Sequence, residues 1–231
     1  MLGPALVAVY AGGSWALGGY EQGRSDLDVA VIVARPLSDD EKEPIVAAIR
    51  HEALPCPARG LELVVYTEEV ARSGTAAAAY ELDLNTGATM RFRASFAPSA
   101  TDPGDHWYAL DRAILREHGV PLAGPPASTI IEPIDRGLLV RRLRESLGWH
   151  VSADDRELDN AVLNACRALR FAGEGEWSSK PSAGWWAVER GFEPDLVLAA
   201  LRAREGGPAP DRAAVERFLA NAAEILGESE R

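Results

Sequence analysis

The chain has 231 residues, 47% hydrophobic and 26% charged, which is enough for one large domain or two small ones with a core. This composition excludes a disordered acidic chain, and 21 glycines with 15 prolines are loop-rich without being low-complexity. A formal net charge of −11 and a pI near 4.9 argue against sequence-blind nucleic-acid binding, and suit either a cationic small substrate or plain solubility.

No apolar run approaches the ~20 residues of a membrane span. The start, Met1-Leu2-Gly3-Pro4, has no charged n-region or long apolar h-region, so a cytoplasmic protein is expected. Cys56 and Cys166 have no metal-ligand spacing, and Cys166 falls on an apolar helical stripe as a core residue. Only two lysines, Lys42 and Lys180, stand against 22 arginines, which draws attention to Lys180.

Ala5 to Tyr10 reads as a short buried strand, Ala11 to Ser14 as a turn, and Leu27 to Val33 as a second, β-branched strand. Ser38 with Glu41 three residues on predicts a capping box, and Ile45, Ala48 and Ile49 give the helix its apolar face. Leu61 to Tyr66 is a third strand, so the chain opens as an α/β fold. Ala76 to Ala79 has helical character, and Tyr80 to Leu84 alternates weakly. Asp102-Pro103-Gly104 is a turn, Asp105 to Glu117 a helix stopped by Gly119, and Gly124-Pro125-Pro126 a rigid loop.

From about Pro133 every segment has the helical period: Leu138 to Trp149, Arg156 to Ala172, Ala183 to Arg190, Asp195 to Arg204 and Asp211 to Leu226. The expectation is an α/β (α+β) domain with a mixed sheet over residues 1–132, then an all-α helical bundle over residues 133–231.

The chemistry concentrates in Gly13-Ser14-Trp15-Ala16-Leu17-Gly18 and Gly23-Arg24-Ser25-Asp26-Leu27-Asp28-Val29. Gly13 allows close approach of an anion, Ser14 offers a hydroxyl, and a helical turn from Trp15 would add free amides. With both on a strand, Asp26 and Asp28 share a face, roughly 6.5 to 7 Å apart. Paired carboxylates of this kind hold hard divalent cations, usually Mg²⁺, beside a phosphate. Glu62, near the start of the third strand, is costly there unless paired or metal-bound, and reaches the same face if the second and third strands are neighbours. The plainer alternative is a polar turn beside an edge strand.

Gly13-Ser14 followed by Asp26-Leu27-Asp28 resembles the signature of the nucleotidyltransferase superfamily, built on a DNA polymerase β-like palm. Asn164 to Leu169 and Lys180 to Ala187 resemble the C-terminal domain of the aminoglycoside (3'')(9) adenylyltransferases, and Asp111 to Gly119 with Leu122 to Pro125 is similar to that family's linking region. The resemblance implies transfer of AMP from ATP to a hydroxyl of spectinomycin, streptomycin or both. It implies that Asp26 and Asp28 hold two Mg²⁺, that Glu62 is the catalytic base, and that Gly13 and Ser14 grip the terminal phosphates. It further implies that Arg167 and Lys180 serve ATP and that Glu157 faces the cationic acceptor.

Each helical-domain residue also has a plainer reading. Lys180 is then a surface lysine, Arg167 pairs with Asp159, Glu174 or Glu176, and Glu157 is a helix-start acid. Trp185-Trp186 reads as a helix–helix contact, His106 as a helix-start or cleft residue, and His118 as a C-cap histidine.

The chain departs from the family pattern in three places. It starts almost at its first strand, where family members have a preceding helix. The loop Tyr80 to Gly87 lacks the tryptophan that lines the drug site, and Ala153 stands near an acid of streptomycin-modifying members. Spectinomycin is therefore favoured over streptomycin. The expected partners are ATP and a cationic small-molecule acceptor, with no nucleic acid and no membrane, and a monomer is expected. Two rivals stay open: an enzyme of the same fold that adenylylates a metabolite or protein, and a non-catalytic ATP-binding relative.

Overall fold

The computed structural model describes residues 2–99, 104–152 and 157–229. The turn residues Asp102 and Pro103, the helix start at Arg156, and Ala153 lie outside the described residues. The chain divides into two compact units, Met1–Ile134 and Asp135–Arg231.

The N-terminal unit carries strands β1 (Leu6–Ala11), β2 (Leu27–Val33), β3 (Leu61–Thr67), β4 (Leu82–Thr86), β5 (Arg93–Ser95) and β6 (Val120–Ala123). Its helices are α1 (Gly13–Ala16), α2 (Asp39–Ile49), α3 (Glu68–Arg72) and α4 (His106–His118). The six strands form one mixed sheet in the order β5-β4-β3-β2-β1-β6. β2 and β3 are parallel, joined through α2, and the other pairings are antiparallel.

Side chains alternate across each strand, so every strand feeds two layers. Val31, Val33, Leu63, Val65, Leu82 and Leu84 pack on one face with Leu37 and with Ile45 of α2. Ala30, Ile32 and Tyr66 pack on the other with Tyr108 and Leu115 of α4. At the head of α2, the Ser38 backbone N–H donates to Glu41 at 3.0 Å, and Arg35 clasps the same carboxylate at 2.7 and 3.0 Å. This agrees with the capping box expected there.

Ala76 to Ala79 is not helical. Ala79 sits at φ 39°, and the carbonyls of Thr75, Ala77 and Ala78 accept from the Arg112 guanidinium at 2.7, 2.8 and 3.3 Å. Arg112 is 1% exposed and also lies over the Tyr66 ring. Tertiary hydrogen bonding thus overrides the helical tendency of the alanine run. Arg112→Met is expected to destabilise the protein by about 3 kcal/mol, because it strands buried carbonyls without donors. Urea unfolding measures this, and a loss within 0.5 kcal/mol, the scatter of a surface change, would contradict it.

The second unit contains α5 (Arg136–Ser152), α6 (Leu158–Glu174), α7 (Lys180–Glu189), α8 (Pro194–Arg204) and α9 (Arg212–Ser229). α6 is the central element and packs against the other four. Its Val162, Leu163, Ala165 and Cys166 are wholly buried, and burial pushes the Cys166 thiol up to about 12, so it is an inert core group. Trp186 packs beside Phe192 and donates its indole N–H to Glu174 at 2.9 Å, but Trp185 is 54% exposed and is not a helix–helix contact. His106 opens α4 fully buried, and His118 ends it before Gly119. Among the described residues no helix is long and apolar enough to cross a membrane.

Candidate active site

The turn after β1 is built around a glycine that no other residue replaces easily. Gly12 donates its N–H to Asp28 O at 2.8 Å, extending the β1–β2 ladder. The helical turn α1 then begins at Gly13, two residues earlier than the start expected at Trp15. Gly13 takes φ +50°, which costs glycine little and other residues more. A Cβ there would stand 1.8 Å from Asp28 Oδ2, so this backbone lies directly against the carboxylate. Ser14 Oγ is buried and has no hydrogen-bond partner among the described residues. Leaving a buried hydroxyl so costs about 1–3 kcal/mol, which an incoming acceptor oxygen would recover.

Asp26 does not lie on a strand, as the sequence spacing suggested; β2 starts one residue later, at Leu27. The Leu27 N–H is taken by Gly60 O at 2.9 Å, and Asp26 turns to Arg59. Arg59 grips it with both ends of the guanidinium, Nε to Oδ1 at 3.0 Å and Nη2 to Oδ2 at 2.7 Å. Sequence reasoning missed Arg59, although it stands three residues before Glu62 at the entry to β3.

The conditional expectation for Glu62 is met. β2 and β3 are adjacent, and Asp28 is the register partner of Glu62. The same row runs on to Asn85 of β4 and Arg93 of β5. The next row inward is Ala30, Val64, Asp83 and Ser95. Asp83 is buried, accepts the Tyr108 hydroxyl at 2.6 Å and pairs with the Arg93 guanidinium. Tyr80 to Gly87, read from sequence as a loop, is mostly β4. That strand brings Asp83 and Asn85 to the face that carries Glu62.

This crowding has an electrostatic result. Burial lifts the Glu62 carboxyl well above its ordinary range, to about 7, and the charges of Asp28, Asp26 and Asp83 push the same way. Arg59 opposes them. A carboxylate tuned to titrate near neutrality suits proton abstraction.

The acids also suit a cation. Among the described residues no three His, Cys, Asp or Glu side chains converge on one point as a complete metal cage. Mg²⁺ does not need one; it takes one or two carboxylates and fills its remaining positions with phosphate oxygens and water. Asp26 and Asp28 could offer such hard oxygen donors, with both Asp26 oxygens also held by Arg59.

The helical unit gathers the remaining nominated residues. Glu157 is the N-cap of α6, and Lys180 is the first residue of α7. Asn160 joins them: it accepts from Lys180 Nζ at 3.2 Å and donates to the Glu157 carboxylate. Arg204 of α8 also donates to Asn160, at 3.3 Å. Arg167 donates to Asn164 at 3.4 Å, and Asn164 meets His150 at 3.0 Å. Glu174 and Glu176, suggested as partners for Arg167, are instead held by Arg170. Glu157, Asn160, Asn164 and Arg167 therefore form a polar stripe opposite Leu158, Val162, Cys166 and Leu169. The 3.6-residue period could have shown Asn160 and Asn164 in the sequence; Arg204 and His150 come from other helices and gave no such signal.

A mixed sheet, a glycine–serine turn pressed against a strand aspartate, and a glutamate in register on the next strand are the features that the nucleotidyltransferase resemblance implies. Comparison with known proteins finds the following likenesses. The family model for the aminoglycoside adenylyltransferase C-terminal domain matches residues 129–225. The aminoglycoside (3'')(9) adenylyltransferase of Klebsiella pneumoniae is 29% identical over 219 residues, covering 89% of this chain and 80% of its own. That of Rhizobium radiobacter is 35% identical over 99 residues, covering 39% of this chain and 37% of its own. The crystal structure of spectinomycin adenyltransferase AAD(9) from Enterococcus faecialis, solved with ATP and spectinomycin, superposes with a TM-score of 0.70. At 17% identity, covering 98% of this chain and 93% of the other, it establishes a shared fold. The chain is thus similar to the aminoglycoside (3'')(9) adenylyltransferases over most of its length, and its residues 129–225 match their C-terminal domain.

Proposed function

We propose that the protein transfers AMP from ATP to a hydroxyl of an aminocyclitol or aminoglycoside, with Mg²⁺, and that it prefers spectinomycin to streptomycin. The observation that carries this reading is Glu62, raised to about 7, in register with Asp28 beside the unsatisfied Ser14 hydroxyl. In this reading a base, two cation ligands and a hydroxyl able to hydrogen-bond a phosphate lie on neighbouring segments.

In this reading Asp26 and Asp28 hold two Mg²⁺, which would draw negative charge from the triphosphate oxygens. Ser14 Oγ and the Gly13 backbone grip the terminal phosphates. Glu62 takes the proton of the acceptor hydroxyl as its oxygen bonds to the α-phosphorus. The bond from that phosphorus to the bridging oxygen breaks, and pyrophosphate leaves with the electron pair. Arg59 orients Asp26 and offsets part of the acidic field. Arg167 and Lys180 serve the nucleotide, and Glu157 attracts the acceptor's amines. The reading places the enzyme in the cytoplasm, where ATP is available, as a monomer without nucleic-acid or membrane partners.

The spectinomycin preference rests on two departures and one likeness. Tyr80 to Gly87 has no tryptophan, and Ala153 offers no carboxylate. The fold neighbour binds spectinomycin in its own structure. Purified protein given ATP, Mg²⁺ and equimolar spectinomycin and streptomycin is expected to yield AMP-spectinomycin in more than ~10-fold excess, which corresponds to ~1.4 kcal/mol of discrimination. Mass spectrometry of the products reads the ratio. AMP on streptomycin alone would overturn the preference, and AMP on neither drug would overturn the aminocyclitol reading.

A further inference from the structure

Asn85 plays no part in the chemistry derived so far, yet it is the immediate cross-strand neighbour of Glu62. Directly paired antiparallel residues put their Cβ atoms about 4.5–5.5 Å apart on one face. Asn85 is half-buried, and its side-chain amide makes no hydrogen bond among the described residues. Asparagine is disfavoured within strands, so strand formation does not explain it.

The row has a direction. Gly13, Ser14 and Asp28 lie on the β1–β2 side of Glu62. Those groups are assigned to phosphates and cations, so the acceptor must approach Glu62 from the opposite flank. That flank is β4, and the residue presented there is Asn85. Beyond it, the Arg93 guanidinium is drawn to Asp83, one row inward. The first uncommitted polar group on the acceptor side of the base is therefore the Asn85 amide.

We infer that Asn85 is the residue that positions the acceptor, hydrogen-bonding an oxygen adjacent to the hydroxyl that Glu62 deprotonates. This rests on the proposed adenylyl transfer. A carboxamide both donates and accepts and carries no charge. It thus reads a neighbouring hydroxyl or ring oxygen, as a polyol acceptor presents, without adding to the acid already on this face. A site built to bond such an oxygen discriminates against an acceptor that lacks it.

The test is steady-state kinetics of wild type, Asn85→Ala and Asn85→Leu with spectinomycin and ATP, alongside thermal melting of each. Both variants are expected to lower kcat/KM for spectinomycin by ~10- to 100-fold, chiefly through KM. KM for ATP is expected to stay within ~2-fold, and the melting temperature of Asn85→Ala within ~2 °C. Full activity in Asn85→Leu would show that the side chain only fills space and would overturn the inference. So would equal losses toward ATP and spectinomycin. Wild-type protein that transfers no AMP would overturn the functional reading itself, whereas an active wild type with an indifferent Asn85→Ala overturns only the role of Asn85.

Discussion

Glu62→Gln is expected to lower AMP transfer by about 10²- to 10⁴-fold, the usual contribution of a general base, and at the same time to stabilise the metal-free protein at alkaline pH. The two effects have one origin. Burial and the Asp28, Asp26 and Asp83 charges hold the Glu62 carboxyl at about 7, against 4.5 when unperturbed. Between those values the folded protein keeps a proton that the unfolded chain has lost, so stability falls as pH rises from about 4.5 through about 7. Above that window the native state carries an ionised, desolvated carboxylate, and glutamine removes the penalty, worth roughly 3 kcal/mol. Below pH 4.5 the variant and the wild type should melt alike. Activity runs the opposite way, because the base works only when ionised. kcat/KM for the acceptor should rise through about 7, and a cation bound beside Glu62 should move that inflection to lower pH. Thermal melts from pH 4 to 9 without divalent metal check the stability arm. A Glu62→Gln protein less stable than wild type at pH 8 would show that Glu62 is a structural partner and not a strained base.

Gly13→Ala should be nearly as damaging to transfer, although it removes no functional group. The new methyl would fall 1.8 Å from Asp28 Oδ2 and 2.3 Å from Asp28 Cγ, far inside van der Waals contact. Either the carboxylate moves or the turn does. The φ of +50° adds strain of about 1–2 kcal/mol for a residue with a side chain. Displacing the ligand carboxylate from its position against the turn is expected to cost at least ~100-fold in kcat, since misplacing reacting groups by about 1 Å has that effect. Gly18→Ala is the matched control. It also lies at positive φ, but a Cβ there meets nothing within 4 Å, so it should cost stability without comparable loss of activity. Equal activity in the two variants would remove the Gly13–Asp28 contact from the mechanism.

The parts legible in the sequence were those with local causes. β2 was read with its observed limits because Leu27 to Val33 is β-branched and nearly continuous. The start of α2 followed from Ser38 and Glu41, and the helical second unit from its 3.6-residue period. Glu62 was legible as an acid at the head of a buried strand, but its register with Asp28 depended on strand adjacency, which spacing alone does not give. β5 and β6 are three and four residues long and exposed, with Pro121 inside β6, so neither carries an apolar alternation. β4 was legible only as a weak alternation over Tyr80 to Leu84, because its polar Asp83 and Asn85 read as loop residues until folding covers Asp83 with Tyr108 and Arg93. Arg59 and Asn85 were missed for the same reason: each acts through a residue that folding brings beside it.

The most direct test of the central claim is a product analysis. Wild type, Asp28→Asn and Glu62→Gln are incubated with ATP, Mg²⁺ and a panel of spectinomycin, streptomycin and other aminoglycosides, and both drug mass and pyrophosphate release are followed. The expected result is an AMP adduct on spectinomycin, one pyrophosphate per adduct, and neither product above background in the two variants. Adduct formation that survives Asp28→Asn and Glu62→Gln, or ATP bound by wild type with no adduct on any drug, would contradict it.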